Sequence, residues 1–534
     1  MNTDQALPLV KSLSQPFSNF DFVEEHFAAS FTIRKIFSLA RSRGAQTLIA
    51  EDQVPTGVVE DENRELSELF SDYTPGRLVQ ITFWSGPFIA LDCVADLKSS
   101  DCVGYALLKQ DIVPSRSLDQ WHVFEAVVAC YPHHHSYFKA CREYHFTAGG
   151  RAFSLFGCLF AQQNGLNKAC AQVALRSLST SYLRRDVSYR EINDFASNGD
   201  PAFKPASGLT NDEIRWVLTG LLIPYNAWDY TAWEEKPGME NIRSEMPYQK
   251  MVYSGVESGC GALIAFRTKG PNANPKEGHV VTAFGHTFNE DSWAPYGDGA
   301  YFKIGEEIKY LPSRAWTSNF IIHDDNFGAN LCLPQSFLNT GDVHFVIELL
   351  RDGWPCSGVV VEITAANYFY SILPTLDVDG VNPISVNPIG IKWLRRLQEY
   401  VSDQQLILRH VPVTREEYLQ RLEEDTDWQS QREDAKVLSD LQQADFPSRM
   451  WMVEVSVPEV FSTNKRKIGE ILLDGERAYF TDEADGSGFV VARFPGCYVF
   501  FDTLNDDGIP LFRTVPSGFG SHLPLFGTST GEAG

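Results

Sequence analysis

Of the ten cysteines in this chain, one stands where a thiol can act as a nucleophile. Cys170 falls just inside the expected start of a helix, Ala169 to Leu183, marked by its Ala and Leu content. The free N–H groups and dipole of a helix N-terminus favour a thiolate, the reactive form. None of the other nine has that setting; Cys260, between Gly259 and Gly261, is the nearest competitor but heads a strand. Gln162 and Gln163 follow the apolar run Phe153 to Phe160, seven or eight residues before the cysteine. An amide from either can join the Cys170 backbone N–H in holding an oxyanion. Gly278-His279-Val280-Val281 sets a histidine at the start of an apolar strand, a rigid mount for a general base. Another apolar strand ends in Ile321-Ile322-His323-Asp324-Asp325-Asn326, where a carboxylate or the amide can hold the imidazole in its working tautomer. Taken singly, a cysteine at a helix start is more often structural than catalytic. The ordered set of Gln, Cys, His and Asp points to acyl transfer through a thiol.

That order, carried by GLNKACAQVAL, GHVVTAFGH and HDDNFG, resembles the papain-like cysteine peptidases. Within them it is most similar to the bacterial leader-cleaving, double-glycine-type enzymes. The resemblance implies Cys170 as nucleophile, His279 as base and Asp324 as the orienting residue. Asp324 is favoured over Asp325 because Gly328 follows it at the family's spacing. It implies Gln163 as the oxyanion residue, although Gln163 stands one residue further from the cysteine than is usual, so Gln162 stays open. Ala171 replaces the commoner glycine after the nucleophile. The second helix between Cys and His, opening at Gly208-Leu209-Thr210, also matches the family. The likeness covers roughly a third of the chain.

The elements that must position these residues suggest three ranges. Residues 1–145 read as an N-terminal mixed α/β accessory domain, with an acidic segment from Glu60 to Glu68 expected to be exposed. Short strands are expected at Val79 to Trp84, Phe88 to Val94, Val103 to Leu108 and Val123 to Val128. Residues 146–330 put helices first and strands afterwards, an α+β unit and, by the resemblance, a papain-like catalytic domain. Thr210 with Glu213 three residues on is a capping box, and Ile214, Val217, Leu218 and Leu221 then share one helical face. Strands follow at Ala262 to Phe266, His279 to Gly285, Ala300 to Ile304 and Asn319 to His323. Residues 331–534 read as a C-terminal β-rich α+β accessory domain. Its expected strands are Val343 to Leu349, Val359 to Thr364, Trp451 to Val457 and Phe489 to Arg493. Its helices are Ile391 to Val401 and Thr414 to Leu422, and Glu423 to Gln443 is expected as an exposed helix or linker.

Composition narrows the function. The 534 residues carry 69 acids against 45 bases, a net charge of −24 that repels phosphate backbones and anionic lipid, so neither nucleic acid nor membrane is the expected partner. Lys465, Arg466 and Lys467, a lone basic triplet, are expected on a solvated turn or helix face. The opening MNTDQALPLVKSL lacks the basic start and long apolar run of a secretory signal, and no stretch is apolar enough to span a bilayer. Scattered cysteines without a CxxC pair suit a reducing compartment, and the cytoplasm is the expectation. His133, His134 and His135 are adjacent and converge poorly on one ion, so no metal or organic cofactor is expected. His286 and His323 are expected to satisfy core or cleft hydrogen bonds. Trp293 and Asp325, with Gln162, are candidates for contact with substrate. The expected activity is a cysteine peptidase or isopeptidase acting on a protein or peptide through a Cys-His-Asp triad, with the flanking ranges open to a regulatory protein partner. Two rivals are a transglutaminase-like acyl transfer to an amine and a papain-like core kept as a non-catalytic scaffold.

Overall fold

A computed structural model describes residues 8–526 apart from 29, 89, 131–135, 235, 238–242, 244–245, 269–277, 289–301, 305–307, 374–375, 377–387, 403–405, 425–438, 440, 442–445, 462–464, 478–487, 505–509 and 517–522. Helices and several antiparallel sheets make the chain α+β. Two compact units share it: Met1–Arg243, Gly259–Gly285 and Phe320–Leu349 form the first, and Ser244–Ser258, His286–Asn319 and Leu350–Gly534 the second. Among the described residues no helix is long and apolar enough to cross a membrane.

In the first unit an antiparallel meander runs Leu9–Ser12, Thr47–Asp52, Thr74–Trp84, Cys102–Val113, Leu118–Val128 and Leu159–Phe160. The Phe31–Ser42 helix carries Ile33, Ile36, Phe37 and Ala40 at the i, i+3, i+4, i+7 spacing of one buried face. It packs with Phe22 and Val23 of the Ser18–His26 helix onto Leu48, Ile81, Phe83 and Val123. A hairpin, Arg142–Ala148 with Arg151–Gly157, supplies Tyr144, Phe146, Phe153 and Leu155 to a second cluster around Trp84 and Val127.

The sheet that carries the candidate residues is ordered Tyr225–Asp229, Val343–Leu349, Ala262–Arg267, Gly278–Phe288, Thr317–Asp324 and Gly328–Pro334. Val173, Ala174, Leu175 and Leu178 of the Cys170–Leu183 helix pack with Leu263, Ala265, Val280 and Ile347 of its strands. Each fully buried aliphatic side chain there contributes roughly 1.5–3 kcal/mol. The Asn211–Gly220 helix adds Ile214, Val217 and Leu218. Thr210 caps it as expected: the Glu213 N–H donates to its hydroxyl, and the Glu213 carboxylate accepts from the Thr210 N–H at 2.6 Å, an arrangement worth about 1 kcal/mol.

The second unit is built on eight strands in the order Phe302–Ile304, Ile308–Pro312, Ile407–Thr414, Arg449–Ser456, Gly469–Asp474, Phe489–Phe494, Cys497–Leu504 and Pro510–Pro516. The capping box at Thr414 and Glu417 opens the Arg415–Glu424 helix. Inside the sheet runs a fully buried chain of charges. Arg409 bonds Glu257 and Glu454, Lys467 joins Glu454 to Glu470, and Glu470 accepts from Arg493.

Four sequence expectations are corrected. Val359 to Thr364 is not a strand but part of the Gly358–Ile372 helix, capped by Ser357, with Val361, Ala365, Ala366, Phe369 and Ile372 buried in the core; packing overrides its β-branched propensity. Phe88 to Val94 does not form the expected strand: Leu91 to Val94 belong to the 3₁₀ helix Leu91–Asp96. Lys467, in the basic triplet, is wholly buried against Glu454 and Glu470 rather than solvated. Glu60 to Glu68 lies on the Val58–Leu69 helix, where Glu62 and Glu65 are buried among cations and amides. His133, His134 and His135, Trp293, and most of Glu423 to Gln443 lie outside the described residues.

Candidate active site

The loop before Cys170 is fixed by buried polar groups from distant parts of the first unit. Lys168 donates to Glu62 Oε1 at 2.6 Å, and Glu62 Oε2 accepts from Lys109 at 2.7 Å, itself paired with Asp111. Burial opposes ionisation of Glu62, but the two ammoniums outweigh it and hold its carboxyl well below the usual range. Asn167 donates to Glu65, and Asn164 bridges Asp111 and Asn167. The first helical turn closes on Gln172, whose Oε1 accepts from the Ala169 N–H at 3.1 Å and whose Nε2 reaches the Pro205 carbonyl at 2.8 Å. Ala169 is extended, so Cys170 opens the helix as its first residue, partly buried and among the free N–H groups of the N-terminus.

His279 enters from the neighbouring strand, in register with Phe266, whose ring meets the imidazole edge-on at 5.6 Å. Its Nε2 lies 3.1 Å from Asp324 Oδ2, and the Cys170 sulfur is close enough to favour the charged ring. With Nε2 facing the carboxylate, Nδ1 is the nitrogen left for the sulfur. Burial disfavours the imidazolium, yet Asp324 and Cys170 outweigh it and raise His279 to about 10. Burial likewise raises Asp324, but His279 and the backbone N–H groups of Asn326 and Phe327 bring its carboxyl below the ordinary value. The strand therefore ends in an Asx turn that aims Asp324 at the ring.

Cys170, His279 and Asp324 are thus brought together. Asp325 joins them: its Oδ1 is 3.7 Å from His279 Nε2, and it is only 4% exposed. Burial pushes its carboxyl up to about 6. Cys170, Val280, Thr282, His323 and Asp325 share a cavity of about 10 Å³. The two glutamines separate. Gln162 is tied to the sheet edge, its Oε1 accepting from the Val123 N–H at 3.1 Å, whereas Gln163 Nε2 donates to Asn326 Oδ1 at 2.8 Å beside the Asp324 turn. His323 hydrogen-bonds the Cys158 carbonyl and the Asn330 N–H, and burial drives it down to about 3; His286 pairs with Glu257. Both therefore satisfy internal hydrogen bonds, as expected. Cys260 is buried at the head of its strand.

A cleft of about 550 Å³ opens beside Cys170 and Ala171, lined by residues 207–211, Asp229, Gly278, Val280, His344 and Phe345. That volume falls in the range of small-molecule and side-chain sites. Sequence reasoning missed Glu62, Lys109, Lys168, Asn167 and Gln172, which hold the cysteine in place. Only Gln172 had a local signal, its position at the third residue of the helix. No protein-family model, curated protein or solved structure matches the chain.

Proposed function

We propose that this chain is a papain-like cysteine hydrolase, a peptidase or isopeptidase acting by acyl transfer. The single observation that carries the reading is Cys170 at a helix N-terminus interacting with a buried imidazole whose far nitrogen is held by Asp324. The thiolate attacks the carbonyl carbon of an amide, and the negative charge formed on oxygen is met by the Cys170 N–H and the Gln163 amide. His279 delivers its proton to the departing amine, which breaks the C–N bond and leaves a thioester on Cys170. Water then attacks the thioester, His279 takes its proton, and the acid product leaves as the thiolate is restored. Asp324 keeps the ring in the tautomer that presents Nδ1 to the sulfur. The cleft beside Cys170 supports a peptide-sized substrate. A cytoplasmic setting is supported by ten free cysteines.

The test is iodoacetamide labelling of chelator-treated protein at neutral pH, read by peptide mass spectrometry. Exposed Cys332 serves as the internal reference. Cys170 is expected to label at least tenfold faster than Cys332, with the advantage lost in His279→Ala. p-Nitrophenyl acetate should give a burst of one p-nitrophenol per chain that Cys170→Ala abolishes. Equal labelling of the two cysteines together with no burst overturns the proposal and favours a scaffold.

A further inference from the structure

One group beside the triad has no task in that chemistry. A single carboxylate is enough to orient His279, and Asp324 already accepts from the ring and from two backbone N–H groups. Asp325 is also buried against the same ring nitrogen, and neither of its oxygens has a hydrogen-bond partner in the structure. A buried carboxylate without partners is costly. Its place 3.7 Å from the imidazole points to something that binds there.

We propose that His279, Asp324 and Asp325 form a divalent-cation site, suited to Zn²⁺, whose occupation switches off the Cys170–His279 pair. The switching rests on the hydrolase reading; the binding does not. One donor atom from each of the three buried residues lies within 4.8 Å of the others. Nε2 stands 3.1 Å from Asp324 Oδ2 and 3.7 Å from Asp325 Oδ1. Ligands at Zn–N and Zn–O bond lengths on a tetrahedron lie roughly 3.3–3.6 Å apart, so the two nitrogen–oxygen distances need shifts of only a few tenths of an ångström to seat the ion. Two carboxylates and a neutral imidazole carry two negative charges, which a divalent ion cancels. One nitrogen and two oxygens suit zinc better than calcium, which takes six to eight oxygens, or magnesium, which keeps an octahedral shell. The small cavity that Asp325 and Cys170 both border is about the size of one water.

The consequence follows from proton bookkeeping on the ring. Zn²⁺ takes the Nε2 lone pair, and any proton there goes to solvent. The neutral ring then carries its one remaining proton on Nδ1, the nitrogen facing the thiol. It can accept no second proton, so it no longer serves as the base, and a chelator restores it by removing the ion. Asp325 thus acts as a binding residue for the ion and not as part of the triad.

The experiment uses the full chain, stripped with EDTA, dialysed and titrated with Zn²⁺ against a chromophoric chelator, with metal content read by elemental mass spectrometry. The expected result is one Zn²⁺ per chain, at least tenfold weaker binding in Asp325→Asn, and unchanged stoichiometry in Cys170→Ser. Co²⁺ in place of Zn²⁺ should give a tetrahedral ligand-field spectrum without thiolate charge transfer. Zinc should slow Cys170 labelling at least tenfold, and EDTA should reverse it. Absence of stoichiometric zinc, undiminished binding in Asp325→Asn, or a thiolate band in the unmutated protein overturns the site. If Asp325→Asn does not fold, the Co²⁺ spectrum of the unmutated chain decides alone. Failure of the hydrolase reading is distinguishable, since it shows as slow Cys170 labelling in metal-free protein whatever the zinc content.

Discussion

Removing Glu62 tests whether buried charge holds the loop before Cys170. Glu62 is wholly buried and serves two ammoniums, Lys168 at 2.6 Å and Lys109 at 2.7 Å. In Glu62→Ala, Lys109 keeps Asp111 at 2.7 Å. Lys168 keeps only the His122 ring at 3.4 Å and the faces of Phe124 and Tyr189. Burial already brings Lys168 down to about 8 with Glu62 present, so the orphaned amine gives up its proton and the loss is bounded. Breaking a buried pair by removing one partner costs about 3–5 kcal/mol. For a unit of this size, with an unfolding entropy of about 2 cal/mol/K per residue, that lowers Tm by about 5–8 °C. The assay is calorimetry with urea titration at pH 7, alongside Glu62→Gln/Lys168→Met, in which both charges are replaced. That double variant should regain most of the loss, because swapping a whole buried pair for neutral groups is often nearly neutral. A Glu62→Ala loss under about 1 kcal/mol, or a double variant no better than the single, refutes the reasoning.

Two further outcomes concern the sheets. Gly261 has φ +83°, and a Cβ there would meet the Ala283 carbonyl oxygen and Leu178 Cδ2, each at 2.8 Å; Gly261→Ala should therefore cost about 2–4 kcal/mol in thermal or urea unfolding. Glu470 is buried, but Arg493 and Lys467 hold its carboxyl down to about 2 against an ordinary 4.5. A depressed folded pKa contributes stability that is complete above pH 4.5 and is lost as the pH falls toward 2. Glu470 should account for about 3 kcal/mol of the acid sensitivity across that window, a slope that Glu470→Gln abolishes in urea titrations at stepped pH.

Legibility in the sequence followed the range of the interaction. The helix start at Cys170 and the capping boxes at Thr210 and Thr414 are set within four residues, and each was found where expected. His279 and Asp324 were readable because each sits at an end of an apolar run. The acidic helix was misread because its charges answer to residues far along the chain. Lys109 is 47 positions from Glu62 and Lys168 is 106 away. Nothing local distinguishes such a glutamate from one that faces water. Lys467 failed in part for the same reason: Glu454 reaches it from another strand, although Glu470 stands only three positions on. Val359 to Thr364 failed differently: its β-branched run is honest about propensity, but the burial of Val361, Ala365 and Phe369 on one helix decides its form.

The interleaving of the two units has a consequence for synthesis. Each unit is assembled from three separate stretches, and the first is complete only with Leu349. A ribosome releases the chain at about 5–20 residues per second, so Asp324 emerges roughly 8–30 s after Cys170. For the first part of that interval Cys170 has neither His279 nor Asp324 beside it, and until Asp324 emerges the proposed triad cannot assemble. No contiguous fragment of fewer than 349 residues from the N-terminus contains the whole first unit. Truncations that stop short of Leu349 would remove a strand, Val343–Leu349, from the sheet that carries His279 and Asp324.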